Sequence, residues 1–202
     1  MNTTIELRWA NCGHAQEGTW ALAWAQLIGL HHASISEDHI AHRSVALPHM
    51  GHTVGKAIVA CVNDGVGGGS RGDIASAELS AHCLHTAPEL WGQAAGLAQW
   101  MRQADDHVQA KLAQVSYSPG AATSVAAWLL PGGRGHIMRV GDCRAYRCTP
   151  TGVEQITFDQ TYAAVNESPP QGASANDPAR QVGAGFMGEP DIMPFSLVFH
   201  HT

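Results

Sequence analysis

Charge is scarce in this chain: only 14% of its 202 residues are Asp, Glu, Lys or Arg, against roughly 25% in ordinary globular proteins. Basic residues are scarcer than acidic ones, 11 against 17, which leaves a formal net charge of −6. They form no block or stripe, so neither nucleic acid nor an anionic membrane surface is an expected partner. Long apolar runs are missing too. "WALAWAQLIGL" is the longest nearly apolar stretch, and it is too short to cross a bilayer. The opening "MNTTIELRWA" lacks a basic segment followed by an apolar one, so no secretory leader is expected. The five cysteines are odd in number and contain no C-x-x-C, which fits a reducing, cytoplasmic setting. Cys61 and Cys83 fall within apolar patterns and read as buried thiols. A G-x-S-x-G elbow and a G-K-[ST] phosphate loop are also absent, which excludes two common catalytic designs.

What is present is enough apolar residue, 45%, to give one domain over residues 1–202 a real core. "TWALAWAQLI" and "KAIVACVN" read as strands. "DIASAELSAHCLHTA" reads as a helix with Ile74, Ala77, Leu79, Ala81 and Leu84 in loose helical spacing. "ELWGQAAGLAQWMRQADDHVQAKLAQV" reads as a longer helix with Leu90, Leu97, Met101, Val108 and Leu112 on one stripe. "TSVAAWLL", "GHIMRV", "RAYRCT" and "GVEQIT" follow as short strands, residues 167–191 as loop, and "FSLVFHHT" as a last apolar run. Strands, two helices, then a strand meander predict an α+β fold with mostly antiparallel sheet.

Because carboxylates are few, each one beside a turn matters. Asp64 ends an apolar run and opens the glycine-rich "NDGVGGGSRGD". Gly67, Gly69 and Gly72 spell G-x-G-x-x-G between a strand and a helix, the setting of a dinucleotide site. Asp64 would repel a pyrophosphate there, however, and no βαβ unit continues downstream. A tight turn capped by Asp64 is the plainer alternative. A third reading gathers the carboxylates that stand near turns: Glu37 and Asp38 in "SEDH", Asp64, Asp142 in "RVGDCRAY" and Asp159 in "ITFDQ". Carboxylates at strand ends suit hard divalent cations, which take oxygen ligands.

These segments resemble one family in order. "VNDGVGGGSRGDIAS" is similar to the V-x-D-G-x-G-G segment of the metal-dependent protein phosphatases, type 2C. "SEDH" resembles that family's early acidic motif and "GAATSVAAWLL" its G-T-T strand. "MRVGDCRAYRC" resembles V-G-D-S-R-x-Y, "EQITFDQTYAAV" the L-T-x-D-H segment, and "NDPARQVGAGFMG" the segment ending in Leu-Gly. The resemblance implies an α-β-β-α sandwich of two mostly antiparallel sheets flanked by helices, with a Mn²⁺ or Mg²⁺ centre at one edge. It implies Asp64 and Asp38 as catalytic residues. Asp64 would bridge two ions, with the Gly65 carbonyl, Asp38, Asp142 and, through water, Glu37 around them. The expected reaction is hydrolysis of phosphoserine and phosphothreonine on proteins by a metal-activated water. A phosphorylated protein is the implied substrate and a serine/threonine kinase the implied counterpart.

The chain also departs from the family pattern. Its later Ser-Asp-Gly and Asp-Asn motifs do not appear before Thr202, and Asp191 in "EPDIMPF" does not replace them. Ala33 stands where the phosphate-holding arginine is usual, with His31 and His32 nearby; Ala121-Ala122 replaces Thr-Thr and Gln160 replaces histidine. A weak or inactive phosphatase-like binding module is therefore the alternative. Cys143 reads as a packed thiol, Asp105-Asp106 as a solvated helix face, the five tryptophans from Trp20 to Trp128 as core, and the pairs His49/His52 and His82/His85 as ordinary histidines.

Overall fold

The computed structural model describes residues 8–17, 20–28, 36–49, 52–67, 71–115, 119–185 and 188–196. Its elements run β1 (Arg8–Glu17), β2 (Trp20–Ile28), β3 (His39–His49), β4 (His52–Gly65), α1 (Gly72–Leu84) and α2 (Ala94–Val115). They continue as β5 (Ala122–Leu130), β6 (Arg134–Val140), β7 (Tyr146–Thr149), β8 (Gly152–Gln155) and β9 (Asp191–Ser196). A five-stranded sheet of order β3-β4-β5-β6-β9, antiparallel throughout, forms the centre. The hairpins β1-β2 and β7-β8 form two smaller sheets. The α+β expectation is met.

Side chains on a strand alternate between faces, and β4 shows what each face is for. Ala57, Val59 and Cys61 are buried against the helices, whereas Val62 on the opposite face is 42% exposed. The paired strands keep this register: Cys61 lies opposite Ala126, and Val62 opposite Val125. On the helix side α2 contributes Leu97, Met101, Ala104, Val108 and Leu112, all buried. Trp91, Trp128, Met138 and Val140 complete that core. The other face is covered by the two hairpins, and a cavity of about 400 Å³ opens between β2 and the sheet, floored by Val62, Val125 and Ala127.

Four expectations need correcting. The strands β1 and β3 were not legible, because histidine, arginine and proline break the apolar pattern of "HIAHRSVALPH", and "RWANCGHAQE" has little pattern at all. The second helix starts at Ala94, five residues later than expected; a 3₁₀ turn at Pro88–Leu90 precedes it, closed by Trp91 N–H on the Pro88 carbonyl at 3.2 Å. In α1 the fully buried side is Ala75, Ser76, Leu79, Ser80 and Cys83; of the expected stripe Leu79 lies on it, Ile74 and Leu84 pack against the core half-buried, and Ala81 is exposed. Small side chains let α1 sit close on β4 and hide its amphipathic pattern. The last strand spans 191–196, and most of "FSLVFHHT" lies outside the described residues. Among the tryptophans, Trp91 and Trp128 are core, while Trp20 and Trp24 are half-buried in the β1-β2 layer.

Candidate metal centre

Asp64 is the penultimate residue of β4 and shares the hairpin side of the sheet with Val62. Asp38 is hydrogen-bonded to it, and the charges of Asp142 and Glu37 are felt from farther off. The Asp64 carboxyl is pushed up to about 7, first by partial withdrawal from water, then by the charge and hydrogen bond of Asp38, then by Asp142 and Glu37. The tip of Asp64 stays open to water, so solvent screening keeps the energetic weight of that shift modest.

Each carboxylate is positioned by an element far away in sequence. The turn before β3 is tied down on both sides: Ser76 of α1 donates to the Glu37 carbonyl at 2.5 Å, and Gln26 of β2 donates to Ser36 Oγ at 2.9 Å and to the Asp38 carbonyl. Directly beneath Asp64, the buried Asn63 amide donates to Ser124 Oγ at 2.5 Å and accepts from Ser80 Oγ at 2.7 Å, locking β4 to β5 and α1. The Asp142 turn depends on Gly141, at φ 91°, a left-handed conformation that favours glycine. A Cβ there would also lie 2.4 Å from Thr123 Cγ2. Gln160 holds this turn at both ends: its amide oxygen accepts from Gly141 N at 2.8 Å and its own N–H donates to the Gly141 carbonyl at 2.9 Å.

The glycine loop answers to packing. A Cβ on Gly65 would come within 2.5 Å of the Glu37 and Gly72 carbonyl oxygens, and one on Gly67 within 2.8 Å of Glu37 Oε2. Backbone and carboxylate therefore crowd together where a side chain would intrude. Val66 N–H and Arg71 N–H bond the carbonyls of Ala121 and Pro119, at 2.9 and 2.8 Å, and so seat the loop beside β5. Gly69 lies outside the described residues, as do Ala33, His31 and His32.

The other sequence candidates find different uses. Asp159 pairs with Arg144, whose Nε donates at 2.8 Å; the guanidinium holds that carboxyl below its usual range. Asp191 pairs with the buried Arg139, whose Nε donates at 3.1 Å. Asp105 does more than face solvent, since it accepts the Gly183 N–H at 2.6 Å. The Cys143 thiol packs 3.2 Å from Thr123 Oγ1 and is pushed up to about 12, chiefly by burial, which suits a packed thiol and not a nucleophile. Gln26, Asn63 and Ser76 were missed in the sequence, where the signal was polar side chains embedded in apolar segments; Gln160 was noted only as a replacement for histidine, without its hold on the Asp142 turn.

A bacterial serine phosphatase superposes with a TM-score of 0.60 at 22% identity, covering 84% of this chain and 70% of its own. The chain has the fold of the metal-dependent serine/threonine phosphatases. The catalytic domain of the serine/threonine phosphatase PstP, solved with 2 manganese ions, superposes at 0.55 with 22% identity over 79% of this chain and 72% of its own. Stp1 from Staphylococcus aureus does so at 0.54 with 20% identity over 85% and 77%. No family model and no curated protein matches the sequence.

The donor set fits the hard cations of this phosphatase fold: carboxylates and a backbone carbonyl, all oxygen. Among the described residues no three carboxylate, histidine or cysteine side chains are already gathered to hold an ion.

Proposed function

We propose that this chain is a metal-dependent serine/threonine protein phosphatase, acting as one domain over residues 1–202 on phosphoserine and phosphothreonine in proteins. The observation that carries this reading is that Asp64, at the glycine-lined end of β4 in a phosphatase fold, is hydrogen-bonded to Asp38 and feels the charges of Asp142 and Glu37. Asp64 and Asp38 are the proposed catalytic residues, and Asp64, Asp38, Asp142, Glu37 and the Gly65 carbonyl the proposed ligands of Mn²⁺ or Mg²⁺. Such cations, when bound, polarise a phosphoryl group and acidify water. Asp64 would bring its charge to the cations, while Asn63 and the Gln160-held turn keep the donors from drifting. Gly65 and Gly67 leave the approach free of side chains. A phosphorylated protein is the proposed partner and a serine/threonine kinase the source of its phosphate. No helix among the described residues is long and apolar enough to cross a membrane, and a cytoplasmic setting belongs to the proposal.

The test is Mn²⁺-dependent hydrolysis of a phosphothreonine peptide beside the Asp64→Asn variant. Asn keeps the size and removes the charge. Turnover should drop by more than about 100-fold, beyond the 10–100-fold typical of residues that merely support ligands. A second reading, a phosphoprotein-binding module without turnover, is favoured by Ala33, which stands where the phosphate-holding arginine of the family is usual. Folded wild type with no turnover at millimolar Mn²⁺ would select it.

A further inference from the structure

Residues 167–191 read in sequence as loop, yet the segment 160–185 is zipped by pairing between its two limbs. Thr161 bridges Pro178, Tyr162 N–H bonds the Asp177 carbonyl at 3.1 Å, and Ala163 N–H bonds the Ala175 carbonyl at 2.8 Å. One limb ends at Gln160, which holds the Asp142 turn; the other ends at Val182, paired to Ala122 at the start of β5. Between this segment and the glycine loop lies a cavity of about 420 Å³, whose lining includes Val66, Gly67, Tyr162, Pro170, Pro178 and Asp177. That volume lies within the roughly 300–1,000 Å³ of small-ligand sites.

Position and chemistry both limit what can enter. Gly67 belongs to the cavity wall and also adjoins the Glu37 carboxylate, a Cβ there lying 2.8 Å from Oε2. The cavity therefore starts within about one residue's span of the acidic cluster, given ~3.3–3.6 Å per residue of extended chain. Its walls are largely apolar: valine, tyrosine and two prolines. Asp177 carries the charge. One of its oxygens accepts the Ser174 N–H at 2.8 Å, the side chain is exposed, and it enters no ion pair among the described residues. Arg180 nearby is already committed to Glu167.

We infer that this cavity is a substrate subsite for a lysine or arginine flanking the phosphorylated residue. The inference rests on the phosphatase reading and names the substrate class within it. The methylene stem of such a side chain lies along Tyr162 and the prolines, while its cationic head meets Asp177. A leucine gains only the walls. A glutamate meets an uncompensated like charge.

The experiment is fluorescence anisotropy with labelled phosphothreonine heptapeptides, alanine elsewhere, carrying one Lys, Leu or Glu at each position within two residues of the phosphothreonine. Binding is measured with Mn²⁺ on wild type, Asp177→Asn and Asp177→Lys. Asparagine keeps an oxygen for Ser174 N–H, so the segment stays zipped, and an unchanged melting temperature verifies this. Wild type should prefer Lys over Glu by about fivefold at one position, the upper range for an exposed ion pair. Asp177→Asn should bring that ratio near one, and Asp177→Lys should invert it. Mn²⁺-dependent hydrolysis of p-nitrophenyl phosphate, which has no flanking residue, should be the same in all three proteins. Equal binding of Lys and Glu peptides by wild type, or a preference that survives both substitutions, overturns the subsite alone. If phosphorylated and unphosphorylated peptides bind alike and p-nitrophenyl phosphate is untouched, the phosphatase reading fails, and the subsite fails with it.

Discussion

The two faces of the central sheet are built from the same five strands and do opposite work. On the helix face Val59, Cys61, Trp128 and Met138 are closed off beneath α1 and α2. On the hairpin face Val62 is 42% exposed and a cavity of about 400 Å³ separates β2 from the sheet. Asp64 sits at the end of the open face. A close-packed layer resists rearrangement, whereas an open one leaves room for charged groups to move and for a ligand to approach. Ile58 and Ile137 are buried on the hairpin face too, so its open part is the stretch around Val62 that leads to Asp64, where the carboxylates, which oppose folding when unneutralised, stand.

Trp128→Ala breaks the comparison from the closed side and should have the largest effect. Emptying so large a buried site costs about 3–5 kcal/mol, read as a lower midpoint in urea with an unchanged slope. Trp128→Phe sharpens it: the indole N–H is buried without a partner among the described residues, so phenylalanine should lose far less than alanine. Equal losses would mean that this face is not the packed layer described.

A smaller effect belongs to the rim. The Asp64 carboxyl ordinarily titrates at 3.8 and is pushed up to about 7 in the folded chain. The folded state therefore binds more protons than the unfolded one between those values. Its contribution to stability is full below the unfolded value and is lost as pH rises through about 7. In EDTA, wild type should lose ground to Asp64→Asn as pH rises from 5 to 8, and Mn²⁺ should restore it. Parallel melting curves for the two proteins across that range would refute the carboxylate cluster. Last comes Val62→Ala on the open face. Half in water and beside a cavity, it should shift stability by no more than about 0.5 kcal/mol; a loss approaching that of a core residue would show the hairpin layer to be packed in solution.

Part of the site was legible because its chemistry is local. Asp64 and Gly65 are neighbours at a strand end, and the glycines that follow mark a turn; the close approach of Gly65 to Gly72 appears only in the structure. Glu37, Asp38 and Asp142 were legible as short turn motifs. The supports were not: Gln26 to Asp38, Ser76 to Glu37 and Asn63 to Ser124 join residues from different elements, and no periodicity marks a polar residue whose partner is 12, 39 or 61 positions away. The helix α1 escaped for a related reason, since its buried side is small and partly polar, so that it fits close to β4.

By itself the sequence determined the α+β class, the stripe of α2, the strand runs of β2, β4, β5 and β6, and which carboxylates stand at turns. These follow from periodicity and local backbone preference, which operate over a few residues. Only the tertiary structure decided that four carboxylates share one end of the sheet, that Asp159 and Asp191 are instead paired with arginines, and that residues 160–185 wall a cavity beside the glycine loop. Those outcomes depend on strand order and register, and register is set by which faces can be buried together, a property of the whole sheet.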